Sequence, residues 1–224
     1  MVRVGFVTIG QSPRVDVTSD FSKLLPSGFE FVEMGALDGL SRVEVEAKFG
    51  PVLGGAVYVT RLRDGSEVKV SKDKIISRVG ECIRVLDGMG VDLIAILCSG
   101  EFPEYEASVP IIYPEKVLKG FASSIVYSGC VGVLMPAVEQ YDYGLEKWGG
   151  IFREVEVYCL SPYTSSLNDF YSVGERFRSR GVKLVIMDCI GYGLIHRDVL
   201  RKCGLMAVTP RTVLAKAIVE LFSS

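Results

Sequence analysis

Short apolar runs alternate along this chain with stretches whose apolar residues recur at helical spacing, the pattern of a parallel sheet covered by helices. The run over residues 2–9 ends in the loop Gly10-Gln11-Ser12-Pro13-Arg14; residues 15–25 then read as a helix stopped by Pro26, and residues 29–34 as a second strand. Ser41 and Glu44 have the spacing of a capping box and mark a helix start. The texture then changes. Residues 58–63 and 66–70 alternate polar and apolar side chains around Asp64-Gly65, which predicts a hairpin. Residues 73–89 return to helical spacing, residues 110–114 read as a short strand, and residues 115–127 as a helix.

The pattern then restarts. Residues 130–136 repeat the opening run, with Val131-Gly132 standing where Val4-Gly5 stood. A strand over 155–160, a loop over 161–166, a helix over 167–179, a strand over 205–210 and a helix over 211–222 follow. Each half also holds one copy of a single pattern. It reads Gly-Val-Asp-Leu-Ile-Ala-Ile-Leu-Cys-Ser-Gly at 90–100 and Gly-Val-Lys-Leu-Val-Ile-Met-Asp-Cys-Ile-Gly at 181–191. Each copy reads as a buried strand ending on a thiol.

The predicted class is α/β: two pseudo-symmetric Rossmann-like lobes with parallel sheets and an active-site cleft between them. Residues 1–127 form the first lobe, with the hairpin inserted near 56–71, and residues 128–210 the second. Residues 211–224 form a C-terminal helix that packs back on the first lobe.

Composition narrows the function. The chain has 224 residues, of which 49% are hydrophobic and 23% charged, enough for a substantial core and unlike a disordered chain. A net charge of −2 gives no long-range attraction for nucleic acid or an anionic membrane. No run approaches the roughly 18 apolar residues of a membrane span, and the opening segment reads as a strand rather than a secretory signal. Six cysteines without a CxxC, with a single histidine, suggest neither a disulfide framework nor a zinc site. The expectation is a cytoplasmic protein with reduced thiols and no metal or cofactor.

A cysteine within an apolar run is ordinarily a small buried hydrophobe, and Cys82, Cys130, Cys159 and Cys203 read that way. Cys98 and Cys189 differ: they match, they end their strands, and each precedes a glycine by two residues. Open α/β sheets place ligands at such strand ends. Free N–H groups and the following helix terminus would lower the pKa of each thiol. The N–H groups of Ser99-Gly100 and Ile190-Gly191 could hold a carboxylate or a developing enolate.

Cys98 and Cys189 are therefore the candidate catalytic residues. Gly10, Gln11, Ser12 and Arg14 follow the first strand, Pro136 its repeat, and Tyr163 and Thr164 the next strand. All would line the same cleft, with Arg14 as counter-charge to an anionic substrate. Thr164-Ser165-Ser166 reads equally well as an N-cap run. Asp188 should point to the opposite side of its strand, away from the site, as a structural charge, while Tyr141, Tyr143 and Trp148 read as packing. His196 is a candidate proton relay, or else a partly exposed histidine near a helix start.

At these residues the chain resembles the aspartate/glutamate racemase superfamily, which includes hydantoin racemases, maleate isomerases and arylmalonate decarboxylases, and within it the AroM-like family. The resemblance rests on Thr8-Ile9-Gly10, on residues 40–45 with the hairpin after them, and on residues 123–126. It rests further on Asp188-Cys189-Ile190-Gly191 with His196-Arg197-Asp198. It implies two thiols facing one another across a small carboxylate, one removing the α-proton while the other protonates the opposite face. The racemases of that superfamily favour Thr or Asn beside each cysteine. Here Ser99 and Ile190 stand there, which turns the expectation away from free amino acids toward a less polar acid or a one-sided reaction.

Three functional readings follow. The leading one is a cofactor-independent racemase- or isomerase-like enzyme using Cys98 and Cys189 as an acid/base pair on a small carboxylate or carbonyl acid. The second is a non-catalytic small-molecule-binding or regulatory protein. The third uses one thiol, as a decarboxylase, a cis–trans isomerase or a redox-sensing nucleophile. The expected partner is a small anionic organic molecule, not nucleic acid or membrane, and the hairpin either closes the cleft or meets the second subunit of a homodimer.

Overall fold

The strand that opens each half carries the same Val-Gly pair for the same reason. A Cβ at Gly5 would crowd Leu86 and Val91, and one at Gly132 would crowd the Phe177 ring. The missing side chain lets a helix lie close against the sheet in each lobe. The computed structural model describes residues 1–222, so Ser223 and Ser224 of the 211–224 segment lie outside the described residues.

The first sheet is built from β1 (Val2–Thr8), β2 (Phe29–Gly35), β5 (Leu93–Leu97) and β6 (Ile111–Ile112), in the order β2-β1-β5-β6. The second is built from β7 (Val131–Met135), β8 (Val155–Cys159), β9 (Leu184–Met187) and β10 (Met206–Val208), in the order β10-β9-β7-β8. Every pair in both sheets is parallel. Matching β1 with β7 makes the two orders identical, so the repeat seen in the sequence is a repeat of topology. The insertion of the first half is α2 (Arg42–Phe49) and the antiparallel hairpin of β3 (Val57–Arg61) and β4 (Glu67–Ser71). The expected capping box is present, with Ser41 accepting from the Glu44 N–H.

The remaining helices are α1 (Val15–Leu24), α3 (Lys72–Gly88) and α4 (Pro114–Ser123) in the first half. In the second they are α5 (Tyr141–Gly149), α6 (Leu167–Ser179), α7 (Leu194–Lys202) and α8 (Pro210–Phe222). Alternation along β5 sends Ile94, Ile96 and Cys98 to a core shared with α3 and the hairpin, and Leu93, Ala95 and Leu97 to the opposite face. That opposite face is covered by α1 and by Leu214, Ala215 and Ile218 of α8. In turn, Leu118 and Ala122 of α4 cover Val131, Val133 and Met135 of the second sheet. The last helix of each half thus packs on the sheet of the other.

One reading of the pattern is corrected and one helix is added. The helix expected over 115–127 ends at Ser123, where the Ser124 hydroxyl turns back to the Phe121 carbonyl at 2.6 Å and competes with the helix ladder. Helix α5 has no forecast in the apolar pattern, because Gly144, Gly149 and scattered aromatics hide its stripe. Among the described residues no helix is long and apolar enough to cross a membrane.

Candidate active site

The C-terminal ends of β5 and β9 deliver Cys98 and Cys189 to buried turns of like geometry. The Gly100 N–H donates to Cys98 Sγ at 3.4 Å, and the Gly191 N–H to Cys189 Sγ at 3.3 Å. Both glycines are required by what covers them. A Cβ at Gly100 would run into the Tyr58 ring, and one at Gly191 into Tyr163 and Pro162. Each thiol turn is roofed by a tyrosine, one from the hairpin and one from the loop after β8.

The expected lowering of the thiol pKa values is overturned. Burial pushes both Cys98 and Cys189 up to about 12. The glycine N–H and the Arg14 charge pull each one down, but they do not match the loss of hydration. The anion cradle expected at these turns also changes, since the N–H groups of Gly100 and Gly191 point at the sulfurs.

Arg14 sits beside the Cys189 turn, and its charge reaches both thiols. Its guanidinium is 2% exposed and pairs with both oxygens of Asp16 at 2.9 and 2.8 Å, with Thr8 Oγ1 at 3.1 Å and with the Tyr163 hydroxyl at 3.0 Å. It joins the loop after β1 to the loop after β8, and its charge acts on both thiols.

Two further cations brace the turns. Arg211, from α8, donates to the Ile190 and Gly191 carbonyls at 2.6 and 2.8 Å and to Asp20 at 2.7 Å. Lys147, from α5, donates to Asp188 Oδ2 at 2.8 Å and to the Ser99 carbonyl at 3.3 Å, so it ties the turn after β5 to the end of β9. Trp148 Nε1 donates to the same Asp188 oxygen at 2.9 Å. Sequence reasoning missed Arg211 and Lys147. For Arg211 the signal was a charge in register with the apolar face of Val213, Leu214, Ala215 and Ile218, whereas Lys147 lies in a helix whose stripe the sequence hides.

The other predicted residues are placed as follows. Gly10 is packed beneath Thr60 and Arg61 of the hairpin. Gln11 ties the Leu37 and Leu40 carbonyls to the Arg63 N–H, and Ser12 bonds to Asp38, so both brace the loop after β1. Pro136 is buried after β7, and Ile190 is buried against the first sheet. Thr164 is exposed, with its N–H on Ser161 Oγ, while Ser166 caps α6. His196 does not meet a thiol in these contacts. Its Nδ1 accepts the Gly193 N–H at 3.0 Å at the start of α7, its ring stacks 4.4 Å from Phe170, and burial holds its pKa down at about 4. Asp188 points to the opposite face of β9 as expected, but it does not lie away from the site: it lines a cavity shared with Ser99 and Gly100.

The hairpin bridges the halves. Lys69 pairs with Glu139 at 2.8 Å, Gln140 Nε2 donates to the Val57 carbonyl at 2.9 Å, and Ser161 donates to Glu67. Arg63 donates to the Ser12 carbonyl at 2.8 Å. Among the described residues, no group of three or more His, Cys, Asp or Glu is placed to hold a metal ion.

Solved structures share this architecture. Allantoin racemase from Klebsiella pneumoniae is 15% identical, with a TM-score of 0.65 over 99% of this chain and 87% of that one. Aspartate racemase from Picrophilus torridus is 12% identical, with a TM-score of 0.65 over 99% and 94%. The maleate isomerase Iso from Pseudomonas putida S16 is 14% identical, with a TM-score of 0.60 over 98% and 92%. At such identities the likeness is one of fold. No curated protein matches in sequence. The model of the family described as AroM protein matches residues 4–222, and the chain belongs to that family.

Proposed function

We propose that the protein is a cofactor-independent racemase- or isomerase-type enzyme that moves a proton at the carbon next to a carboxylate or carbonyl. It would act in the cytoplasm, where its six free cysteines stay reduced. The observation that carries this reading is the matched pair of turns, each with a glycine N–H on its sulfur, with one buried arginine whose charge reaches both thiols. The shared fold of racemases, an isomerase and a decarboxylase supports the class.

A thiol pushed up to about 12 is rarely ionised near neutral pH, so the working base is a minor form, though a strong one once formed. Arg14 lowers the cost of the thiolate at either sulfur, so one cation serves whichever thiol acts as base. The thiolate takes the α-proton and becomes a thiol. The opposite thiol gives its proton to the other face and becomes the thiolate, ready for the mirror-image substrate. A one-thiol reaction is the second reading, favoured by the contrast of Ser99 beside Cys98 with apolar Ile190 beside Cys189.

The test is α-proton exchange in heavy water, followed by NMR over a panel of small chiral acids. The native protein exchanges and inverts its substrate, and Cys98→Ser and Cys189→Ser each abolish inversion. Full activity of Cys189→Ser on a true substrate would sink the mechanism. Retained exchange without inversion in one variant selects the one-thiol reaction.

A further inference from the structure

A cavity of about 90 Å³ lies beside the Cys98 turn, walled by Tyr58, Ser99 and Gly100 and by Gln140, Tyr143 and Asp188 of the second half. One water needs about 10–15 Å³ by this measure, so a group of several heavy atoms fits. Three buried polar atoms of its walls have no hydrogen-bond partner: Asp188 Oδ1, Gln140 Oε1 and the Tyr143 hydroxyl. Such orphans are uncommon, because leaving a buried polar group unmet costs more than a typical hydrogen bond contributes.

Their chemistry specifies the occupant. The Asp188 side chain is 1% exposed, and its other oxygen already accepts from Lys147 and Trp148. The Gln140 amide is oriented by its donation to the Val57 carbonyl, which leaves Oε1 as an acceptor. The Tyr143 hydroxyl lies near Glu101 without meeting a partner at hydrogen-bonding geometry, and burial keeps it protonated. Two acceptors and one hydroxyl call for an N–H-bearing group with an acceptor of its own. Charge decides its state. Asp188 pairs with Lys147 at 2.8 Å, Glu139 with Lys69 at 2.8 Å and Glu101 with Lys72 at 4.0 Å, so each carboxylate of the cavity has its lysine and a cation would gain little.

Position completes the argument. Gln140 is the N-cap residue of α5, as Arg14 is of α1. The cavity thus holds, on the Cys98 side, the place that the arginine fills on the Cys189 side. We infer that it is the specificity subsite for the far end of the substrate, and that it takes a neutral primary carboxamide. The N–H₂ is shared between Gln140 Oε1 and Asp188 Oδ1, and the amide carbonyl accepts from Tyr143. The inference rests on the acid/base reading for where the carboxylate sits, but its test requires no turnover.

The experiment is calorimetric titration of the intact protein with three acids of like size. Succinamate ends in a carboxamide, levulinate replaces its N–H₂ by methyl, and 4-aminobutyrate ends in an ammonium. Succinamate should bind roughly tenfold or more tighter than levulinate, because a site built to hydrogen-bond rejects the analogue that leaves its groups unpaired. Gln140→Met should shrink that ratio severalfold while levulinate affinity holds, and Tyr143→Phe should weaken both ligands alike, since levulinate keeps the carbonyl that the hydroxyl serves. Equal binding of succinamate and levulinate, tighter binding of 4-aminobutyrate, or no binding of any of them overturns the subsite. If amide preference is present and α-proton exchange is absent throughout, the acid/base reading fails and the subsite stands.

Discussion

At Cys189 the turn is closed in: Arg211 grips the Ile190 and Gly191 carbonyls, Tyr163 roofs the glycine, and Arg14 bonds to that tyrosine. At Cys98 the same backbone, the same N–H-to-sulfur contact and the same kind of tyrosine roof border a cavity whose walls carry unmet acceptors. The two halves share the thiol and its immediate support, while the ground around it differs. The contrast separates chemistry from recognition. On the proposed mechanism, two equivalent thiols would permit attack on either face of a flat intermediate, and two unlike surroundings would fix which end of the molecule lies where.

That contrast can be broken from either side. The largest effect should come from the thiols: Cys98→Ser and Cys189→Ser should each lower turnover by about 10²- to 10⁴-fold in a steady-state assay. A variant that loses nothing would show that the turns share a shape and not a task. Next come the braces. Arg211→Ala leaves two turn carbonyls without this donor and Asp20 without its arginine, and urea denaturation should register a loss of about 3–5 kcal/mol. Lys147→Met should cost less, since Lys147 serves only Asp188 and the Ser99 carbonyl, whereas Arg211 serves three carbonyls and Asp20. Equal losses would mean that the two turns are equally braced.

The third prediction concerns pH. Both thiols sit near 12 in the folded protein against an ordinary value of 9.0. The unfolded chain therefore releases these protons first, and stability present below pH 9 falls as pH rises toward 12. Each thiol contributes at most about 1.4 kcal/mol per pH unit. Replacing both by serine should flatten the decline, and alkylation near pH 7 should leave both untouched while the less buried Cys130 reacts. The smallest effect lies at His196. Its folded value near 4 stands below the ordinary 6.5, so the unfolded chain binds a proton that the folded one refuses. Stability should fall as pH drops from 6.5 to 4, by up to about 1.4 kcal/mol per unit, and His196→Asn should remove that slope.

The two sheets, the hairpin and the paired thiols were legible because each leaves a local mark: alternation, Asp64-Gly65, or a cysteine two residues before a glycine. Arg14 was legible as a charge closing a strand-end loop. Gln11, Ser12 and His196 have the residue types of a site, but their polar atoms are spent on loops and a helix start, which no local spacing reveals. The thiol pKa values were misjudged because the sequence shows the N–H donors and not the depth of burial that outweighs them. Gln140 and Tyr143 lay in a stretch without periodicity, and their importance comes from what they leave unbonded.

The crossing of α4 and α8 has a consequence for how such a molecule arises and comes apart. Cut between α4 and β7, the first piece would expose the Leu93-Ala95-Leu97 face of its sheet, and the second would expose Val131, Val133 and Met135. Neither severed half is a self-sufficient unit. An ancestral single-lobe chain wired in this way could close its core only by lending its last helix to a twin and borrowing the twin's in return. The fused chain keeps that exchange within one molecule, and the crossed helices tie its halves together.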